Sequence, residues 1–476
     1  SSLIIGSLLL TLSCHQIRLS KKKTRSIDDI FQSYHNFKQS INPIEATKAG
    51  EGSYNDTIAN YISSNYQNNL QRKYSLYLDT LNTFDSISVT SRQWLSIQTM
   101  RWDCNIKRAG LLQPLITLAS PIYNLPSFEL MPLIQVQSLH LYVAQLAAGK
   151  SVHPFQTVQD YDHWLERVQD YLTFLDTCIT KMKLGMGQGI VLPKSLVQTI
   201  LPQLDPFINE SIENHLFYAP IKNIPSQFNS AESDRLVTAY RNMINEQLKP
   251  KYRKLRAFFK NEYLPKSRNT SGLGSLPGGL ETYQYLIRLH TTSNLTIDEI
   301  HNKGLKEVDR ILSEMEKYKT SMGFNGNIKD FFKFIRNSPE QMPFKEPGQV
   351  IDHFDEIKLQ VKNSLGTLFS LEPKATFEVR RTEAFRESSA SAEYVPGSKD
   401  ASRSGIFYVP IPDVSRYNKY ADEALFLHEA IPGHHYQLSL QQENMQLPEF
   451  LHPESLGVFV EGWALYAESL GVELGL

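Results

Sequence analysis

Residues 428–435 read His428-Glu429-Ala430-Ile431-Pro432-Gly433-His434-His435. Three imidazoles and one carboxylate fall within eight residues, inside an otherwise apolar helical pattern. Imidazole nitrogen is a preferred zinc donor. A carboxylate beside the first donor stands where a metal hydrolase keeps its general base. A lone histidine on an apolar face is ordinarily a core or surface residue. Three of them with an adjacent glutamate and a helix breaker point to a metal site. A catalytic site needs a third protein ligand and an open fourth position. The chain offers one in Val460-Glu461-Gly462-Trp463-Ala464-Leu465-Tyr466-Ala467-Glu468, where Glu461 lies 27 residues after His434.

The first stretch is similar to the HExxH signature of zinc peptidases, but longer. In HExxH the two histidines are four apart on one helical face. Here the later histidines are six and seven residues after His428, and six residues of unbroken helix rise roughly 9 Å, too far for two ligands of one ion. Pro432 lacks an N–H and clashes with the carbonyl four residues back, that of His428. Gly433 permits backbone conformations closed to other residues. The pair is expected to interrupt the helix so that a later histidine swings back toward His428. Gly433-His434 resembles the Gly-His ending of HExGH motifs, which favours His434 over His435 as second ligand, with His435 the alternative. Glu461 is the third candidate. Glu468 is two turns further on the same face. It either accepts the other N–H of a ligand histidine or is an ordinary solvated helix carboxylate.

HEAIPGHH followed by EGWALYAE resembles the bacterial family known as domain of unknown function eight hundred eighty-five, whose members are commonly described as zinc-peptidase-like and often carry lipoprotein signals. Further stretches are similar: Gly189-Ile190-Val191-Leu192-Pro193, Gly272-Leu273-Gly274-Ser275-Leu276-Pro277-Gly278-Gly279 with His290-Thr291-Thr292, and the segment from Ser398 to Val409. The likeness runs from about Asp28 to the last residue. It implies a mainly α, gluzincin-like metallopeptidase fold, in which the third zinc ligand is a glutamate on a following helix. It implies no substrate. Family members continue beyond EGWALYAE, so the ending in mid-helix at Leu476 leads us to expect a truncated C-terminus.

Composition narrows the function classes. The 476 residues allow a large core and two to four domains. Lys plus Arg total 49 against 50 Asp plus Glu, with no long basic stripe, so no nucleic-acid partner is expected. Cys14, Cys104 and Cys178 cannot make a disulfide framework. The apolar run from Leu3 to Leu12, ending Thr11-Leu12-Ser13-Cys14, is too short to span a bilayer but fits a signal-peptide core. Leu10 to Cys14 resembles a bacterial lipobox. Lipidation at Cys14 and membrane attachment in the cell envelope are therefore expected, with an ordinary cleaved secretion signal as the alternative. His15 in place of an aspartate after the cysteine favours the outer membrane.

Three regions are expected: a signal and tether over 1–26, a helical region over 27–264, and a metallopeptidase-like region over 265–476. From Tyr161 to Leu184, Trp164, Val168, Leu172, Leu175, Ile179 and Met182 recur at helical spacing. Residues 265–280 are a Gly-, Ser- and Pro-rich loop. Without a following Gly-Lys-Ser/Thr it is no phosphate loop. Either it connects the halves or its backbone approaches the substrate cleft. Thr296 and Glu299 form a capping box that opens a helix to about Lys319, with Ile300, Val308, Ile311 and Met315 expected inward. Ala375 to Arg381 alternates as a half-buried strand. Gly405 to Val409 is a second, which Pro410 and Pro412 mark as an edge strand, suited to pairing with an extended peptide. Arg403 either pairs with a substrate carboxylate or is a solvated loop charge. Tyr408 is either core or a substrate contact.

The sequence thus predicts a mainly α fold with a small antiparallel sheet near the site. It predicts a zinc-dependent hydrolase of short peptides in the bacterial envelope, with His428, His434 and Glu461 on zinc and Glu429 as base. The alternatives are a metal-dependent hydrolase of a non-peptide amide or ester, and a non-catalytic envelope binding lipoprotein.

Overall fold

The structure, a computed structural model, describes residues 25–48, 50–117, 127–135, 138–149, 152–382, 387, 390–397, 404–452 and 456–476. Cys14, most of the 1–26 segment and Arg403 lie outside these residues. Among the described residues the chain is mainly helical, with two small sheets.

The longest helix, Val158–Gly187, starts at a capping box between Thr157 and Asp160. All six apolar residues of its expected stripe, Trp164 through Met182, are buried. They lie in a core that runs from Ile44 to Tyr285. The same core encloses Arg167, whose guanidinium donates to the Thr57 carbonyl, the Thr47 hydroxyl at 2.8 Å and Nδ1 of His153 at 3.2 Å. A second cluster packs helices Ile27–Ile41, Ser64–Leu81 and Ser91–Gly110 together and receives Phe450 from the C-terminal half. The Phe450 ring sits 5.4 Å from that of Phe31 and 5.6 Å from that of Tyr34. Cys104 and Cys178 are buried, separate thiols.

The Gly-rich loop is fastened to the N-terminal half. Arg268 donates to the Val191 carbonyl at 2.9 Å and to the Gly272 carbonyl at 2.8 Å. Gly278, at φ +70°, lies against Pro114, whose ring would be 2.3 Å from any added Cβ.

A third core runs from Val350 to Leu474 and carries the site. Its sheet holds β3 (Phe377–Arg381), β4 (Glu393–Val395) and β5 (Gly405–Val409) in the order β3-β5-β4. The short pair β1 (Ile116–Thr117) and β2 (Ser127–Phe128) stands apart in the N-terminal half. Two expectations are corrected here. The sheet is mixed, not antiparallel: β3 pairs parallel with β5, and only β4 with β5 is antiparallel. Gly405–Val409 is the central strand, buried at all five positions, not an edge. Pro410 ends that strand without exposing it. The outer strand that the sequence reading missed is β4, three residues long.

The helix over residues 297–321 forms with its capping box. Its expected inward face does not pack: no residue of it is buried, and Val308, Ile311 and Met315 are among the exposed apolar side chains. Periodicity identifies the apolar face of a helix but not what covers it.

Candidate metal centre

Helix Asp422–Glu429 lies against β3 and β5 through Phe426, whose ring meets those of Phe377 and Phe407. It ends at Ala430, and a new helix, His434–Glu443, starts four residues later. The break has a steric cause. A Cβ on Gly433 would fall 1.9 Å from the carbonyl oxygen of His428 and 2.2 Å from that of Leu427. Only glycine lets the chain fold back so tightly on the helix it has just left. The reversal puts the ring of His434 4.6 Å from that of His428, edge to face.

The third contributor is helix Gly457–Glu468. It approaches closely because the residues it turns inward, Ala464 and Ala467, are small and fully buried. Glu461 Oε2 then lies 3.5 Å from His428 Nε2 and 3.8 Å from His434 Nε2. One potential ligand atom from each of His428, His434 and Glu461 lies within 4.8 Å of the others. Glu468 sits at the back of the site: its carboxylate meets His428 Nδ1 at 2.7 Å. A carboxylate in that place can accept from an Nδ1–H and so orient the ring, while the other nitrogen, Nε2, faces Glu461. Desolvation lowers the pKa of His434, aided by nearby His428, so it favours the neutral form that binds metals. Its Nδ1 is buried without a hydrogen-bond partner among the described residues.

Glu429 is buried beside this group. Desolvation raises its pKa above the usual carboxylate value; the His428 charge and the Tyr394 backbone N–H, which donates to the carboxylate, oppose that rise. The base candidate is thus held by the backbone of β4, a contact with no counterpart in the sequence reading.

His435 points elsewhere. Its Nδ1 pairs with the Tyr394 hydroxyl at 2.8 Å, its ring packs 4.4 Å from that of Phe377, and it hydrogen-bonds the Ala375 backbone. Burial pushes its pKa down to about 4. It fastens the second site helix to the sheet. Gly405 on the central strand makes room for this pairing, since a Cβ there would lie 2.2 Å from the Tyr394 hydroxyl. Tyr408 is buried on the central strand, on the face opposite Phe407 and Val409 and so turned away from the first site helix. Trp463, also missed from sequence, donates its Nε1–H to the Pro432 carbonyl at 2.7 Å. Neither the Tyr394 nor the Trp463 contact has a local spacing that reveals it, because each joins residues more than thirty positions apart.

The model of the family described as bacterial protein of unknown function (DUF885) matches residues 43–476, and the chain belongs to that family. No curated protein matches it. Among solved structures, a protein from Colwellia psychrerythraea described as a "putative lipoprotein" superposes with a TM-score of 0.78 at 19% identity, covering 95% of this chain and 78% of that one. One from Shewanella oneidensis, described in the same words and as of unknown function, gives a TM-score of 0.61 at 18% identity and the same coverage. At such identities these likenesses show the fold alone.

Proposed function

We propose that this member of the DUF885 family is a zinc-dependent hydrolase of short peptides, built on a gluzincin-like plan and held in the bacterial envelope. The observation that carries the reading is the convergence of His428, His434 and Glu461, with all three ligand atoms within 4.8 Å, beside the buried carboxylate of Glu429. The donor set fits zinc. With bonds of about 2.0–2.1 Å in tetrahedral geometry, neighbouring ligand atoms are ~3.4 Å apart, and the two histidine-to-Glu461 distances are 3.5 and 3.8 Å. Two histidines and one glutamate also leave a position open.

Zinc held there would supply Lewis-acid polarisation of a carbonyl and of water. The chain's own residues do the rest. Glu429 follows the first ligand, so its side chain projects ~100° around the helix axis from His428 and reaches the site without sharing the ion. Its raised pKa suits a group that takes a proton from water and gives it to a leaving amine.

The envelope location draws on the lipobox-like stretch ending at Cys14 and on the description of both solved neighbours as lipoproteins. Lipidation at Cys14 would attach the protein to a membrane, the outer membrane by the residue that follows. No described helix is long and apolar enough to cross a membrane.

The test is Glu429→Gln, which keeps size and removes the proton acceptor. Zinc content should stay near wild type while hydrolysis of a peptide panel falls by about 10²-fold or more. Undiminished hydrolysis by the variant would remove Glu429 from the mechanism. Hydrolysis of esters or non-peptide amides alone would move the substrate class. A zinc-loaded protein inert toward every substrate would favour a binding lipoprotein.

A further inference from the structure

The proposed zinc ligands arrive in two units. His428 and His434 belong to one reversal of the chain, whose shape is set by the close contact of Gly433 with two carbonyls. Glu461 comes from a separate helix, and its side chain is 63% exposed. Packing around the carboxylate itself therefore holds it weakly. Its position depends on how its helix docks. The inward face of that helix is alanine at 464 and 467, which allows close approach while these small side chains by themselves do little to fix its rotation. Carboxylates ride ~5–6 Å from a helix axis, so a 20° rotation displaces one by ~2 Å. A zinc site tolerates about 0.2 Å.

Two side-chain bonds tie that helix to the histidine reversal: Glu468 meets His428 at its far end, seven residues from Glu461, and a second bond is made close to Glu461. In an unbroken helix the Pro432 carbonyl would accept the N–H of Tyr436. Here that N–H goes to the Ala430 carbonyl at 3.3 Å. The Pro432 carbonyl, released from the helical ladder, takes the indole N–H of Trp463 at 2.7 Å. Trp463 is two residues after Glu461, and Pro432 is two residues before His434. The indole ring is itself braced, with the rings of Phe369 and Tyr466 at 6.2 and 5.7 Å. The same interruption that brings the histidines together thus frees an acceptor, and the glutamate's helix uses it.

We infer that Trp463 is a positioning residue for the third ligand: its N–H bond to Pro432 sets the rotation of the Glu461 helix against the two histidines. The inference rests on the zinc reading above. It also gives EGWALYAE a division of labour, with Glu461 toward the ion, Trp463 on the reversal and Glu468 on His428.

The experiment compares zinc affinity, by chelator competition, and the visible spectrum of the cobalt(II)-substituted protein. Trp463→Phe keeps an aromatic ring and removes the donor. Phe369→Leu loosens the packing around the indole and leaves the N–H bond in place. Trp463→Phe should weaken zinc binding about tenfold, the lower end of the range for groups that orient ligands, and alter the cobalt spectrum. Phe369→Leu should lower the melting temperature while leaving zinc affinity and spectrum unchanged. Trp463→Leu, which also lacks the donor, gives the same readout if the phenylalanine variant does not fold. Wild-type affinity and spectrum in the donor-less variants would overturn the inference. So would an equal loss of affinity in Phe369→Leu, which would make packing the cause. A wild-type protein that binds no zinc would overturn the proposed function and this inference with it, a result distinguishable from the other two.

Discussion

Replacing Gly433 by alanine adds one carbon at the point where the chain doubles back. That carbon would lie 1.9 Å from the His428 carbonyl oxygen, against 3.4 Å for ordinary contact, so the backbone must open by about 1.5 Å. Both obstructing atoms are main-chain oxygens, at Leu427 and His428, and cannot swing aside as a side chain would. His434 is the next residue and the first of its helix, so the displacement passes to its ring almost undiminished. A shift of that size is several times the ~0.2 Å that a zinc site accepts. Gly433→Ala should therefore weaken zinc binding by at least about 100-fold, which is ~2.7 kcal/mol. The cost to folding should be about 1–3 kcal/mol, the range for overpacking a core by one methyl group. Chelator competition reads the first quantity and denaturant titration the second. A Gly433→Ala protein with wild-type zinc affinity would show that the reversal does not set the ligand geometry, and the steric reasoning would fail.

The two adjacent histidines should separate cleanly. His434→Ala should abolish tight zinc binding, while His435→Ala should keep about one zinc and lower stability through the lost Tyr394 and Phe377 contacts; isothermal titration and melting curves on both decide, and the reverse pattern would exchange the assignments. His153 supplies a test in the N-terminal core. It accepts from Arg167 and its other ring nitrogen meets the Asp160 carbonyl at 3.1 Å, and burial first, then the Arg167 charge, push its pKa down to about 4. The unfolded chain binds that proton more readily, so this contribution to stability is complete above pH ~6.5 and is lost as pH falls toward 4, by at most ~3 kcal/mol. His153→Gln should flatten the stability profile between those pH values; an unchanged slope there would mean that His153 does not carry it.

Much of this is legible in the sequence, and what is not has physical causes. The Val158–Gly187 stripe could be read because a core helix advertises its buried face in its own periodicity. Strand β3 alternates buried Phe377 and Val379 with exposed Glu378 and Arg380, as its sequence does. The helix interruption at Pro432 and Gly433 was readable from the missing N–H and the missing Cβ. Strand order was not. A three-residue strand such as β4 carries too few positions for a pattern, and Pro410 marks the end of β5 equally well whether that strand is central or outer. The exposed face over residues 297–321 shows the same limit. The sequence does not decide the role of Glu468, because only the fold determines whether a helix carboxylate meets a histidine forty residues away, as this one does at 2.7 Å.

Metal stoichiometry tests the site most directly. Protein purified without chelator and dialysed against zinc, then freed of excess ion, should hold about one zinc per chain by elemental analysis. His428→Ala and Glu461→Ala, prepared in the same way and shown to be folded, should each hold close to none. Folded wild-type protein that retains no zinc, or retains it equally after both substitutions, would contradict the assignment of His428, His434 and Glu461 as a metal centre.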